Sequence, residues 1–205
     1  MTDTFKDLNG VLLQGHIKIS DPESGEVLID KRNAIHYENM SIALAESLAN
    51  AGQGPIYKMA FGNGGTSVDP TGIITYLTPN STGTNASLYN QTFAKVVDDQ
   101  ASNNTDPVRN KIETRHVSGT NYTDILVSCL LDYGEPSGQD AFDTTTNTEN
   151  LYVFDELGLV SAGPDGADGR LLTHVIFHPV QKSLNRLIQI DYTVRVQSLT
   201  GFNEV

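Results

Sequence analysis

Two of the five histidines have a spacing that could do metal chemistry. His174 and His178 lie four residues apart and would share one face of a helix. The Val-Ile-Phe between them and the following Pro179 favour a strand instead. In a strand the two side chains would lie about 13 Å apart, at ~3.3 Å per residue, which is too far to bind one ion. Since no third ligand accompanies them, the sequence predicts no metal site here.

A glycine-rich segment could cradle a phosphate group. Its residues are Phe61-Gly62-Asn63-Gly64-Gly65, followed by Thr66. A phosphate-binding loop needs a Lys-Ser/Thr pair that opens a helix. Here Val-Asp-Pro follows, and the carboxylate of Asp69 would repel phosphate. We therefore interpret residues 61–65 as a structural turn or bulge between strands, which positions the Phe61 strand against a helix.

Two pairs of carboxylates could bind calcium or exchange protons. Asp165 and Asp168 lie in a glycine-rich loop, but the loop lacks the alternating oxygen ligands and the closing Glu of an EF-hand. The segment 163–169 is better interpreted as a hairpin tip. Asp98 and Asp99 are adjacent, so in a strand they would point to opposite faces. We expect them to lie on the surface.

No pattern for nucleophilic catalysis is found either. The chain has no Gly-x-Ser-x-Gly elbow, and its one cysteine, Cys129, lies in an apolar run where a thiol is normally inert. A single cysteine also allows neither an intramolecular disulfide nor a cysteine-based zinc site. The sequence therefore predicts a protein that is not an enzyme, with no catalytic residue, no cofactor and no metal.

The charge balance limits the partners of this chain. Its 205 residues include 13 basic and 25 acidic side chains, for a net charge of −12. Because phosphate affinity comes from clustered Lys and Arg, we expect no direct nucleic acid binding. The same charge disfavours anionic lipid, and no stretch approaches 18 apolar residues, so no membrane partner is expected. The first residues also lack the pattern of a signal peptide, which favours a protein made in the cytoplasm.

The elements that would position these residues are mostly strands. Residues 187–196 alternate apolar and polar side chains with period two, as in a half-buried strand. A turn at 21–25 joins strands at 11–20 and 26–30 into a hairpin. One helix is predicted at about 39–50, with Asn39 as N-cap. Further strands are predicted at 55–61, 93–97, 111–117, 122–131, 151–159 and 171–178. This pattern predicts a mainly-β fold, an antiparallel β-sandwich or a barrel-like domain.

No composition break divides the chain, so one domain is expected. We predict an N-terminal arm at 1–14, a single β-sandwich-like domain at 15–197 and a C-terminal tail at 198–205. Three long polar tracts, at 78–92, 98–106 and 137–150, are rich in Asn, Thr, Ser and Gly. Long loops of this kind in a compact domain are usually contact or binding elements, or disordered.

Three stretches together resemble virion structural proteins of tailed bacteriophages. They are Gly25-Glu-Val-Leu-Ile-Asp30 with Asn33-Ala-Ile-His36, then Met59-Ala-Phe-Gly-Asn-Gly-Gly-Thr66, and finally Phe177-His-Pro-Val-Gln-Lys182 with 187–194. The resemblance is to small acidic β-rich proteins of the tail, baseplate or neck. It is scattered over most of the chain, and the long Asn/Thr loops lie outside it.

The resemblance implies a non-enzymatic structural subunit of a phage particle. Such a subunit would assemble into a symmetric ring or collar at the neck, tail or baseplate, through strand edges, loops and terminal arms. Its partners would be other copies of itself and other virion proteins, and its location the virion, assembled in the host cytoplasm. Alternatives are a capsid decoration protein, a receptor- or glycan-binding tip module, and a depolymerase. The long loops carry few aromatic residues for a glycan site, chiefly Tyr76, Tyr89 and Phe142.

Overall fold

A single antiparallel sheet, curled into a half-barrel around one helix, forms most of the molecule. The computed structural model describes residues 10–136 and 151–199. Within them lie strands β1 (Gly10–Ser20), β2 (Val27–Ile35), β3 (Ile56–Gly62), β4 (Thr66–Val68), β5 (Ile74–Tyr76), β6 (Gln91–Val96), β7 (Lys111–His116), β8 (Tyr122–Leu131), β9 (Leu151–Ala162), β10 (Asp168–Leu171), β11 (Thr173–Ser183) and β12 (Ile188–Leu199), and helix α1 (Tyr37–Leu48). The predicted mainly-β, barrel-like fold with a single helix is confirmed.

Within residues 10–136 and 151–199, the strand order leaves the sheet open at two edges. It runs β6-β3-β9-β11-β2-β1-β12-β8-β7, with β10 added beside β9, and the hairpin β4–β5 forms a separate two-stranded sheet. Strands β6 and β7 are therefore the edge strands of the half-barrel. The terminal strands β1 and β12 pair in its middle, from Gly10 opposite Leu199 to Ser20 opposite Gln189.

The core fills the concave side of this sheet. The alternation predicted for the last strand is observed, since Ile188, Ile190, Tyr192 and Val194 are all buried. Aromatic rings extend the same core under β3 and β9, where Phe61 packs edge-on against Phe154 with their centroids 5.5 Å apart.

Helix α1 closes part of the concave face with Met40 and Ala43. The predicted N-cap, Asn39, is wrong: the helix begins at Tyr37, and His36 is the cap, because its Nδ1 accepts from the Asn39 amide at 3.2 Å. Asn39 is buried inside the first turn, where its side-chain amide donates to the carbonyl of Leu171 at 3.0 Å. This side chain fastens the helix to the sheet instead.

Several predicted boundaries can be compared with the strands. Strand β8 covers the predicted residues 122–131, and the hairpin tip at 163–169 joins β9 to β10. The hairpin β4–β5 was not predicted. Residues 10–14 of the predicted arm belong to β1, and residues 198–199 of the predicted tail belong to β12. The rest of both segments and the loop at 137–150 lie outside the described residues, so the terminal arms stay a prediction.

Candidate functional site

Three titratable side chains meet in a buried cluster between β9 and β11. Glu156 and His174 are completely buried, and Asp155 is 3% exposed. Neither carboxylate is among the candidate residues that the sequence suggested. Their signal was present, however, because Asp155-Glu156 interrupts an otherwise apolar strand. Charged side chains at such a position need partners, and the identity of those partners decides what the cluster can do.

Glu156 accepts hydrogen bonds on both carboxylate oxygens. Its Oε1 accepts from the amides of Gly64 at 3.1 Å and Asn90 at 2.8 Å, and its Oε2 accepts from the amide of Tyr89 at 2.9 Å. The His174 Nε2 lies 2.9 Å from Oε2. Burial by itself would raise the pKa of Glu156, but these hydrogen bonds outweigh it and lower the pKa below the ordinary value. The carboxylate is therefore held in its charged form.

Asp155 holds the other end of the glycine-rich turn. Its Oδ1 accepts from the Gly65 amide at 2.9 Å, and its Oδ2 accepts from the amide of Thr66 at 2.9 Å and from the Thr66 hydroxyl. Burial raises the pKa of Asp155, and these hydrogen bonds offset that effect only in part. The two adjacent carboxylates thus bind adjacent peptide groups of one turn.

The hydrogen bonds of His174 determine its protonation. The backbone amide of Asn80 can only donate, and it donates to His174 Nδ1 at 2.8 Å. The ring proton must therefore lie on Nε2, from which it points to Glu156. In this neutral form neither ring nitrogen has a free lone pair. The ring cannot ligate a metal or accept a proton without losing one of these bonds.

The cluster is thus a structural clamp for the glycine-rich turn and the loop at 78–90. The turn consists of residues 63–65, since Phe61 and Gly62 belong to β3, and the glycines at its start and within it permit close approach. A Cβ on Gly62 would lie 2.5 Å from both the Asn90 carbonyl and the Glu156 carboxylate. The clamp, and not α1, holds the turn. Phe61, just before it, packs into the core.

The other candidate residues are placed apart from one another. His178 is exposed, and its Nδ1 lies 3.3 Å from the Tyr76 hydroxyl, so it shares no partner with His174. Asp168 pairs with Lys58 on the surface. Cys129 is fully buried, and burial raises the pKa of its thiol to about 12. Within residues 10–136 and 151–199, no three His, Cys, Asp or Glu side chains are grouped as metal ligands would be.

An apolar groove of about 370 Å³ opens at the seam of the half-barrel, between α1 and the strands near β7. It is lined mainly by Leu13, Met40, Leu44, Ile112, Ile125 and Val196. At the other end of the seam one side chain bridges the gap, because Lys95 of β6 donates to the Leu130 carbonyl of β8 at 2.7 Å. Within the described residues the half-barrel is therefore bridged at one end of the seam and open at the other.

A second apolar surface lies on the hairpin β4–β5. Val68 and Ile73 are 62% and 63% exposed, and Tyr76 and Leu77 are about half exposed beside them. The tip of the hairpin is rigid, because Asp69 Oδ1 accepts from the amides of Thr71 at 2.8 Å and Ile73 at 3.0 Å. Its base is fixed by the clamp at Thr66. The hairpin therefore presents apolar side chains outward on an ordered element.

No family model, no curated protein and no solved structure matches this chain. Among the described residues, no helix has the length and apolar character needed to cross a membrane. The function has to be inferred from the residues and their geometry.

Proposed function

We propose that this chain is a non-enzymatic structural subunit of a tailed-phage particle. It assembles into a symmetric ring or collar at the neck, tail or baseplate, through strand edges, loops and terminal arms. Its partners are further copies of itself and other virion proteins. The proposal joins the sequence resemblance described above to the surfaces that the fold presents.

The observation that carries this proposal is the outward-facing apolar surface of the hairpin β4–β5. Exposed apolar side chains grouped on one short ordered element are typical of a protein–protein contact. Because Asp69 and the clamp already order the hairpin, binding through it loses little conformational entropy. A rigid contact element of this kind suits a subunit that fits into a fixed lattice.

The buried cluster supports a structural role over a catalytic one. A catalytic carboxylate or imidazole needs a free lone pair or proton within reach of a substrate. The oxygens of Glu156 and Asp155 accept from backbone amides, and both nitrogens of His174 are occupied. These side chains keep the hairpin and the loop at 78–90 in place. The residues that most resemble an active site therefore serve to hold surface elements.

Localisation in the particle tests the proposal. Purified particles made from the genome that encodes this chain would be analysed by mass spectrometry for its copy number, and by immunogold labelling for its position. We expect several copies per particle, labelled at the neck, tail or baseplate. Labelling over the head surface would instead identify a capsid decoration protein. Absence of the chain from purified particles would overturn the proposal.

A receptor- or glycan-binding module is the second candidate, favoured by two exposed tyrosines. Tyr76 is 50% exposed and Tyr89 is 43% exposed, and their hydroxyls are fixed by His178 and by the Thr78 carbonyl. Rings held in this way could stack against a sugar. Binding of the isolated chain on a glycan array, lost on Tyr76→Ala and Tyr89→Ala together, would favour this candidate.

A further inference from the structure

Strand β7 is an edge whose outer side is unpaired within the described residues. It lies at the end of the sheet order, and β8 is its only pairing strand there. The backbone groups of 111–116 that point away from β8 make no hydrogen bond to another described residue. Such an edge can add a strand from a second chain, which supplies the missing hydrogen bonds.

The side chains of β7 divide into a row that faces the groove and a charged row on the opposite face. Ile112 and Thr114 face inward and line the groove at the seam. Lys111, Glu113 and Arg115 lie on the outer face, where their signs alternate along the strand. Glu113 accepts from Lys111 at 2.7 Å, and its side chain is still 52% exposed. The charged row therefore remains available to a partner.

We propose that two copies of this chain pair antiparallel through β7, with Thr114 at the two-fold axis. Opposite residues of an antiparallel pair lie on the same face of the sheet. In a two-fold symmetric pair, each possible register therefore places one residue opposite its own copy, and neighbouring registers are centred on neighbouring residues. With Thr114 at the centre, each Glu113 lies opposite the partner's Arg115. Centring the pair on Glu113 sets Glu113 opposite the partner's Glu113, and centring it on Arg115 sets two arginines opposite each other.

Charge thus favours the register centred on Thr114 and opposes the registers centred on Glu113 and Arg115. Centring the pair on Ile112 also sets opposite charges face to face, Lys111 against Glu113, but it overlaps only three residues of β7 instead of five. Opposite charges across a strand pair are attractive and like charges are repulsive. Charged residues on an edge strand usually prevent pairing, but the alternating signs of β7 are complementary to themselves in the register centred on Thr114. The pairing is closed and two-fold symmetric, since the same patch is used by both copies.

In the same register the partner strand also covers part of the apolar groove. Ile112 and Thr114 lie on the inner face, so the partner strand extends the groove wall and covers its β7 side. Burial of this apolar surface adds to the association. The inference rests on the assembling role proposed above, and it identifies the partner at this edge as a second copy.

Charge reversal tests the pairing on the full-length chain. By sedimentation velocity the wild-type chain should be dimeric. Glu113→Arg alone and Arg115→Glu alone should each weaken the dimer by about tenfold or more, because both place like charges opposite each other. An equimolar mixture of the two variants should restore the dimer, since each now complements the other. The double variant Glu113→Arg/Arg115→Glu should also dimerise.

The mixture separates pairing from folding, because two unfolded variants would not restore a dimer. Asp191→Arg is the control, since it reverses an exposed charge on the outer face of the central strand β12, and it should leave the dimer unchanged. A monomeric wild-type chain, a dimer insensitive to both single variants, or a mixture that fails to pair would each overturn this inference. None of these results bears on localisation in the particle, so failure of the proposed function would be recognised separately.

Discussion

At the scale of single residues, Asp155 and Glu156 show how local donors decide the state of a buried carboxylate. Burial by itself would raise the pKa of both side chains. For Glu156 the hydrogen bonds from His174 and three amides outweigh burial, and the pKa falls. For Asp155 the bonds from Thr66 and Gly65 do not, and the pKa rises. The pKa values of these two neighbouring carboxyl groups therefore shift in opposite directions, because their hydrogen-bond partners differ.

We expect Glu156→Gln to destabilise the protein by about 3 kcal/mol. One end of the glutamine amide is a donor, so it would face backbone amides or the His174 Nε2 proton, which are donors themselves. Urea unfolding measures the change. Glu26→Gln, at an exposed position, should change the free energy of unfolding by less than about 0.5 kcal/mol. An equally small change for Glu156→Gln would show that the clamp is not needed for stability.

Lys182 makes the free energy of unfolding depend on pH. It is 1% exposed, and its ammonium group donates to the carbonyls of Asp132 and Ser183, each at 2.9 Å. Burial lowers its pKa to about 8, from 10.5. Between these values the unfolded chain holds a proton that the folded chain has lost. This lysine therefore contributes a free energy of unfolding that rises with pH across that window.

We expect the Lys182→Met variant to lose this contribution to the pH dependence of its free energy of unfolding. The difference in the free energy of unfolding between wild type and variant should shift in favour of the wild type from pH 8 to pH 10. Chemical denaturation at several pH values measures it. The exposed Lys18→Met is the matched control and should follow the wild type. A difference that stays constant over the window would contradict the assignment.

Among the secondary-structure elements, the glycine-rich turn requires glycine because neighbouring groups leave no room for a side chain, and not because its backbone is strained. The turn glycines 62, 64 and 65 are not among the residues with positive φ. What forbids a side chain at Gly62 is the close approach of the Asn90 carbonyl and the Glu156 carboxylate. The turn and the carboxylates of β9 therefore fit together as one unit, which positions the hairpin β4–β5.

We expect Gly62→Ala to destabilise the protein by about 1–3 kcal/mol, because its Cβ would displace the clamp. Thermal or urea unfolding would measure this change. Gly10→Ala is a suitable control, since a Cβ there would meet only Leu199, at 3.6 Å or more. Equal stability of the two variants would contradict the close packing at Gly62.

At the scale of the whole molecule, the surfaces lie at separate places on the half-barrel. The hairpin β4–β5 contacts β11, whereas the groove and the β7 edge lie at the open seam. A subunit with separate contact surfaces can bind different neighbours at the same time. This arrangement fits a place within a larger assembly.

We expect Val68→Ser/Ile73→Ser to fold normally and to lose incorporation into particles. Both side chains are about 60% exposed, so their removal changes little within the folded chain. Circular dichroism would check the fold, and mass spectrometry of particles would count the copies. Val108→Ser removes a comparably exposed valine from a different loop and should incorporate normally. Normal incorporation of the hairpin variant would show that this patch makes no essential contact.

The sequence alone determined the element types and most of their positions. Period-two alternation in the last strand and the continuous apolar run at 122–131 each predicted a strand that the structure contains. These patterns are local, because successive side chains of a strand point to opposite faces, so the order of apolar and polar residues shows which face is buried.

The roles of the polar residues, by contrast, depend on contacts between distant parts of the chain. Asp155 and Glu156 meet Gly64 and Gly65 across about ninety residues of chain, and His174 meets Asn80 across 94. No local pattern records such a pairing, because it depends on which strands become neighbours in the sheet. The N-cap was mistaken for the same reason: Asn39 faces Leu171, which the helix meets only after folding. The seam and the β7 edge, which lacks a second partner strand among the described residues, likewise depend on how the sheet curls.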